Sequence, residues 1–136
     1  MIATWPAEYI GLPFAAKGRD RAGLDCWGLV RLVLAERFGR VLPIWSEGYD
    51  QIEPNPKTAA HLAACAQTLP RLSPAEALPG DVLLFRIGGE LAHVGVDIGE
   101  GRMLHIHEGI NVCIERWQGP RWQPRIEGAY RPGDGT

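Results

Sequence analysis

The spacing of apolar residues divides the chain into a helical first half and a second half made of strands. Over Cys26–Phe38 apolar side chains recur every three or four residues, which predicts an amphipathic helix. Asp25 is a suitable N-cap for this helix, and Gly39 supplies its C-terminal stop. Two further helices are predicted, a short one over Thr4–Ile10 and an Ala-rich one from Asn55 to about Thr68.

Strands dominate from residue 82 onward. The run Val82–Ile87 is rich in apolar residues, as expected for a strand covered on both faces, and a turn with a capping box over Ser73–Glu76 precedes it. Glycine-bearing turns separate four further predicted strands: Leu91–Ile98, Arg102–Glu108, Val112–Trp117 and Ile126–Arg131. Helices followed by an antiparallel meander predict an α+β fold, with N-terminal helices packed on a C-terminal sheet of about five strands. At 136 residues, without a repeat or a linker, residues 1–136 are expected to form one domain.

Composition excludes several classes of function. The formal net charge is −2 and no Lys/Arg cluster occurs, which argues against a nucleic-acid partner. The longest apolar run falls short of the roughly 18 residues that a membrane helix needs. The N-terminus lacks a basic region followed by an apolar run, so we expect synthesis in the cytoplasm without a signal peptide. The three cysteines are dispersed, which favours free thiols over a disulfide framework.

Cys26 is the first candidate for chemistry, because it lies in the first turn of the predicted helix. Exposed backbone N–H groups and the helix dipole favour an anion there, which raises the thiolate fraction of a thiol. A cysteine at a helix start is also often a small buried residue of the apolar face. A catalytic role for Cys26 therefore depends on partners elsewhere in the chain.

Three histidines on two neighbouring strands are the candidate partners. Alternation along the first strand places His93, Gly95 and Asp97 on one face, opposite Val94, Val96 and Ile98. On the next strand, His105 and His107 lie on one face, opposite Leu104 and Ile106. If the two strands pair, the histidines gather on one side of the sheet. We expect the helix to pack on that side, with Cys26 at its tip.

This arrangement predicts a Cys–His–His triad. His93 takes the thiol proton and later protonates the leaving amine, while His105 orients the other ring nitrogen of His93. His107 shares a face with His105 and is the alternative orienting residue. A different chemistry also fits, in which His93, His105 and His107 bind zinc with an open fourth position. That reading leaves the Cys26 helix unexplained, and the triad predicts no metal or other cofactor.

Four motifs in the same order resemble the NlpC/P60 family of cell-wall cysteine peptidases. They are the segment Asp25–Val30, the turn Pro79–Asp81 before an apolar strand, the triplet His93–Gly95, and His105 twelve residues after His93. The resemblance runs from about Trp5 to Arg131, nearly the whole chain.

The resemblance implies a papain-like fold and a peptidoglycan endopeptidase. The implied roles are Cys26 as nucleophile, His93 as base and His105 as orienting residue. The implied substrate is a stem peptide cut between γ-D-Glu and a diamino acid, with the backbone N–H of Cys26 in the oxyanion hole. Acyl transfer or glutamine deamidation uses the same triad.

Three positions near the nucleophile are candidates for substrate binding. The family often has a tyrosine where Phe14 stands and a serine where Trp27 stands, so the pocket is expected to differ in shape and polarity. Asp25 is a candidate for binding a free amine, although its capping role explains it equally well.

The segment Asp25–Arg31 most resembles the peptidases of phage tails and tail-like particles. This subgroup implies phage tail-tip proteins as partners, a location in the virion tail and action at the bacterial cell wall. It also leaves open a non-catalytic tail component that retains the fold.

Overall fold

A computed structural model describes residues 4–42, 64, 68–107 and 109–132. The predicted helix from Asn55 to Thr68 therefore lies outside the described residues, apart from Ala64, which is helical, and Thr68 itself. His61 and Cys65 lie outside them as well. No helix among the described residues is long and apolar enough to cross a membrane.

The helix predicted from the apolar periodicity is confirmed as α1, Cys26–Phe38. The Asp25 side chain accepts a hydrogen bond from the Gly28 N–H at 2.8 Å and so caps a backbone donor that lacks an intrahelical acceptor. Gly39 ends the helix in the left-handed conformation, at φ 63°. The short helix predicted near the N-terminus is instead a 3-10 helix, Trp5–Tyr9.

The main sheet has six antiparallel strands. A two-residue hairpin, β1 (Arg19–Asp20) and β2 (Gly23–Leu24), precedes α1. The six strands are β3 (Arg71–Leu72), β4 (Val82–Ile87), β5 (Glu90–Gly99), β6 (Arg102–His107), β7 (Ile110–Arg116) and β8 (Ile126–Tyr130). Their order in the sheet is β3-β8-β4-β5-β6-β7. The five predicted strands are confirmed within two residues at each end, and the short edge strand β3 joins them.

The start of β4 is held by a capped turn and by an ion pair. The capping box at Ser73 is present and opens a 3-10 turn, Pro74–Glu76, as the sequence predicts. Asp81, just before β4, is buried and accepts two hydrogen bonds from the Arg131 guanidinium, at 2.9 and 3.0 Å. This bidentate pair ties the start of β4 to the end of β8.

Apolar side chains cover both faces of the sheet. On one face α1 packs against the apolar set of β5 and β6, including Val94, Val96, Leu104 and Ile106. The other face carries a second cluster around Phe85, Met103, Trp117 and Trp122. The histidines belong to this second face, because His93 pairs in register with Phe85.

The expected packing of α1 on the histidine face is therefore wrong. Packing the apolar face of α1 against the apolar face of β5 removes more apolar surface from water than packing it against the imidazoles would. The helix takes the apolar face, and only its tip approaches the histidines.

Candidate active site

Cys26 is the first residue of α1 and is only 2% exposed. Its thiol has the backbone N–H groups of Val94 and Trp27 as hydrogen-bonding neighbours. Val94 directly follows His93 on β5. The tip of α1 thus brings the thiol to the strand backbone beside the predicted base.

The pairing of β5 with β6 is close beside His93. Among the described residues, the ladder between these strands runs from the pair Gly99–Arg102 to the pair Val96–Leu104 and ends before His93. Gly95 lies where this ladder ends, and a Cβ there would meet the Met103 sulfur at 2.8 Å. The same Cβ would lie 3.2 Å from the Leu104 carbonyl oxygen, so Gly95 gives the close approach beside His93 that its sequence position predicts.

The start of α1 is anchored by the hairpin before it. Asp25 is fully buried, and Arg19 Nη1 lies 2.7 Å from its Oδ1 and 2.8 Å from the Gly18 carbonyl oxygen. A Cβ on Gly28 would lie 2.0 Å from the Gly18 carbonyl oxygen, so only glycine fits there. These contacts fix the direction of the helix and with it the position of the thiol.

Two imidazoles and a carboxylate form a hydrogen-bonded row that begins at His93, the residue before Val94. His93 Nε2 lies 2.9 Å from His105 Nδ1, and His105 Nε2 lies 2.9 Å from Glu115 Oε1. Both histidines are almost fully buried, at 2% and 0% exposure. The row runs across β5, β6 and β7.

Trp122 lies against both imidazoles. Its ring stacks on His93 with 5.1 Å between centroids and meets the edge of His105 at 5.3 Å. Arg121 and Arg125 place their guanidinium groups against the Trp122 ring. Trp122 therefore separates the hydrogen bond between the histidines from solvent.

His107 lies near the row without occupying the orienting position. Its ring centroid is 6.0 Å from that of His93, whereas the His105 centroid is 5.1 Å away. The direct hydrogen bond that joins His93 to another histidine is the one with His105. The geometry thus favours His105 over His107 for the orienting role, which remains a prediction.

Burial keeps the site neutral. It raises the pKa of the Cys26 thiol, and the adjacent Asp25 carboxylate raises it further. Burial lowers the pKa of His93 well below its usual value, and the neighbouring imidazoles add to this effect. Burial also lowers the pKa of His105 to about 4, although the Glu115 carboxylate opposes it. Near neutral pH the site therefore holds a thiol and two uncharged imidazoles.

The three candidate substrate-binding residues all lie close to the helix start. The Asp25 carboxylate already accepts hydrogen bonds from the Gly28 N–H and from the Arg19 guanidinium. Trp27 is buried in the core that α1 shares with the sheet. Phe14 is half-buried against that core, and its backbone forms an isolated bridge with that of Leu24. Direct contact of these side chains with substrate remains a prediction.

Three donor groups lie close enough together to hold a metal ion. His105, Cys113 and Glu115 place their ligand atoms within 4.8 Å of one another. This set differs from the predicted zinc site, since His93 and His107 are not part of it. One of its members, His105 Nε2, is already hydrogen-bonded to another, Glu115.

Glu115 is the site residue that the sequence did not predict. An acidic residue in an alternating strand normally indicates the solvent face. The register of β6 with β7 pairs His105 with Cys113 and Met103 with Glu115, which puts Glu115 diagonal to His105 on the same face. Only this register, set by the turn between the strands, could have indicated it.

Comparisons with known proteins agree with the fold. The chain is 29% identical over 125 residues to the Escherichia coli K12 protein named murein DD-endopeptidase MepS/murein LD-carboxypeptidase, covering 92% of this chain and 58% of that protein. It is 27% identical over 124 residues to the probable endopeptidase p60 of Listeria monocytogenes, covering 91% of this chain and 22% of that one. The chain thus spans less than three fifths of the length of either relative.

Solved structures give the same result. The NlpC/p60 domain of the peptidoglycan hydrolase SagA matches with a TM-score of 0.63 and 25% identity, covering 92% of this chain and 91% of that one. An NlpC/P60 family protein from Bacillus cereus matches in fold with a TM-score of 0.69 and 21% identity, covering 93% and 37%. The model of the NlpC/P60 family matches residues 11–131. With its helix packed on an antiparallel sheet and a family match over most of its length, the chain belongs to the NlpC/P60 family.

Proposed function

We propose that this domain is a cysteine peptidase that cuts peptidoglycan stem peptides. The observation that carries the proposal is that the Cys26 thiol, at the tip of α1, contacts the backbone of Val94, one residue from the His93 that forms a hydrogen-bonded row with His105. Membership of the NlpC/P60 family and the names of the relatives, which include a murein endopeptidase and a peptidoglycan hydrolase, support the cell wall as substrate.

In the proposed reaction the Cys26 sulfur attacks the carbonyl carbon of the scissile amide while His93 takes the thiol proton. His93 then gives this proton to the leaving amine, and a thioester to Cys26 remains. Water, deprotonated by His93, attacks the thioester, which releases the acid and restores the thiol. The oxyanion of each tetrahedral intermediate accepts a hydrogen bond from the Cys26 backbone N–H at the helix start.

Because the thiol and His93 are both neutral at rest, we propose general-base catalysis rather than attack by a preformed thiolate. Proton transfer then accompanies attack on the carbonyl. His105 holds the His93 ring through the 2.9 Å hydrogen bond, and Trp122 keeps water from competing for it.

Two further parts of the proposal are the peptide bond that is cut and the particle in which the protein acts. We propose cleavage between γ-D-Glu and the diamino acid of the stem peptide, and action as part of a phage tail or tail-like particle. The tail setting rests on the motif Asp25–Arg31 and would be tested by finding the protein in purified particles by mass spectrometry.

The test of the function is digestion of purified sacculi, with released muropeptides identified by mass spectrometry. We expect new amino-terminal diamino-acid fragments, and an equal yield when a chelator is added. Cleavage at another bond would correct the substrate assignment. If the chelator abolishes activity and added zinc restores it, a metal site at His105, Cys113 and Glu115 would be favoured. No release by folded protein would favour a structural role in the tail.

A further inference from the structure

The histidine row ends on a carboxylate that sits in a fixed orientation. Glu115 is half-buried on β7, and its two oxygens have different partners. Oε1 lies 2.9 Å from His105 Nε2, and Oε2 lies 3.3 Å from Arg121 Nη1. The guanidinium thus holds the carboxylate so that one oxygen faces His105.

These contacts determine where the protons of the row lie. A carboxylate accepts hydrogen bonds and does not donate them, so His105 must carry its proton on Nε2. A neutral His105 then has a lone pair on Nδ1, which can only accept a hydrogen bond from His93. His93 in turn carries its proton on Nε2, and its Nδ1 is left with a lone pair.

We infer that Glu115 is a positioning residue of the peptidase, which sets the tautomers of His105 and His93 and so leaves His93 Nδ1 free to accept the Cys26 proton. This inference rests on the proposed function for its catalytic consequence, but the tautomers themselves are a property of the free protein. Without the carboxylate, either nitrogen of His105 can carry the proton. If Nδ1 carries it, His105 donates to His93, whose proton then moves to Nδ1, the atom that must act as base.

Glu115 also acts once the reaction begins. When His93 accepts the thiol proton it becomes an imidazolium whose Nε2–H points at His105. The negative charge of the Glu115 carboxylate stabilises this positive charge through the two hydrogen bonds of the row. Losing this carboxylate therefore weakens the transition state more than the bound substrate, and we expect the effect on kcat to exceed that on KM.

The direct test is ¹⁵N NMR of the imidazole nitrogens, with signals assigned by His→Gln variants. In wild-type protein at neutral pH we expect His93 and His105 both to be protonated on Nε2. In Glu115→Gln, whose amide can donate as well as accept, we expect mixed tautomers at both rings. Glu115→Asp keeps the acceptor on a shorter side chain and should restore part of the wild-type pattern.

Activity provides the second readout. We expect Glu115→Gln to lower kcat by about 10- to 100-fold, less than the roughly 10⁴-fold seen when a direct carboxylate partner of a catalytic histidine becomes an amide. The matched control is Glu127→Gln, which removes a carboxylate paired with Arg71 and hydrogen-bonded to Tyr130, outside the row. It should leave the tautomers and kcat unchanged.

The outcomes separate this inference from the proposed function. A wild-type His105 protonated on Nδ1, or tautomers unaffected by Glu115→Gln, would overturn the inference whatever the protein hydrolyses. Altered tautomers with an unchanged kcat would overturn the positioning role. Absence of any hydrolysis by the wild type, with the predicted tautomers in place, would instead refute the proposed function. Circular dichroism and thermal unfolding of each variant exclude loss of fold as the cause.

Discussion

The ring of Trp122 stacks on the ring of His93, with 24° between their planes and 5.1 Å between their centroids. Trp122 also meets the edge of His105, so one indole covers the hydrogen bond that joins the two histidines. Burial is the largest cause of the low pKa of both histidines. The stacking therefore connects a packing contact to the protonation state of the base.

Replacing Trp122 should raise the pKa of His93, because water then reaches the imidazole and stabilises its charged form. We expect Trp122→Ala to move the acidic limb of the kcat/KM profile to higher pH, so that activity at pH 5 falls more than at pH 8. Trp122→Phe should move it less. The control is Trp5→Ala, at the far end of the helix-side core, where Trp5 packs against Tyr9 and Phe38. An acidic limb at the wild-type pH in Trp122→Ala would refute this role.

The two histidines of the row should differ in their importance. His93→Ala removes the base and should lower kcat by about 100- to 10,000-fold. His105→Gln should cost less, since an amide oxygen can still accept the hydrogen bond from His93 Nε2. His107→Ala is the comparison, because the His107 ring lies farther from His93 than the His105 ring does, with centroid distances of 6.0 Å and 5.1 Å. Steady-state kinetics on one stem peptide gives all three values, and a loss in His107→Ala equal to that in His105→Gln would transfer the orienting role to His107.

The thiol should react slowly with alkylating agents in the absence of substrate. The pKa of Cys26 is raised by burial and by Asp25, so its thiolate fraction at pH 7 is smaller than that of an ordinary cysteine. On a Cys65→Ser, Cys113→Ser background, we expect the rate of iodoacetamide modification to rise continuously from pH 7 to 10. A fast rate that is constant from pH 5 to 8 would instead indicate a preformed thiolate–imidazolium pair.

The apolar pattern predicted the framework of the fold because each element follows a local rule. The bounds of β4 follow from its apolar run, and α1 begins at Cys26 and ends before Gly39 because a cap and a left-handed glycine lie at those points. Strand alternation likewise placed His93 and His105 on one face, where they form a hydrogen bond. These features depend on neighbouring residues in the sequence.

The errors and omissions concern long-range geometry. The side of the sheet that α1 covers depends on which apolar faces complement each other, so the helix could not be placed from the histidines alone. The role of Glu115 depends on the register between β6 and β7, which local patterning leaves open. Trp122 reaches the histidines from the 3-10 turn before β8, through packing that no short motif encodes.

The most direct measurement of the central claim is turnover of a defined γ-D-Glu–diaminopimelate peptide by Cys26→Ala beside wild type and Cys113→Ser. We expect wild type and Cys113→Ser to cleave the peptide at similar rates. Cys26→Ala, with an unchanged circular dichroism spectrum, should cleave none, because an alanine side chain has no group that can attack the carbonyl. Undiminished cleavage by Cys26→Ala would contradict the assignment of Cys26 as the nucleophile.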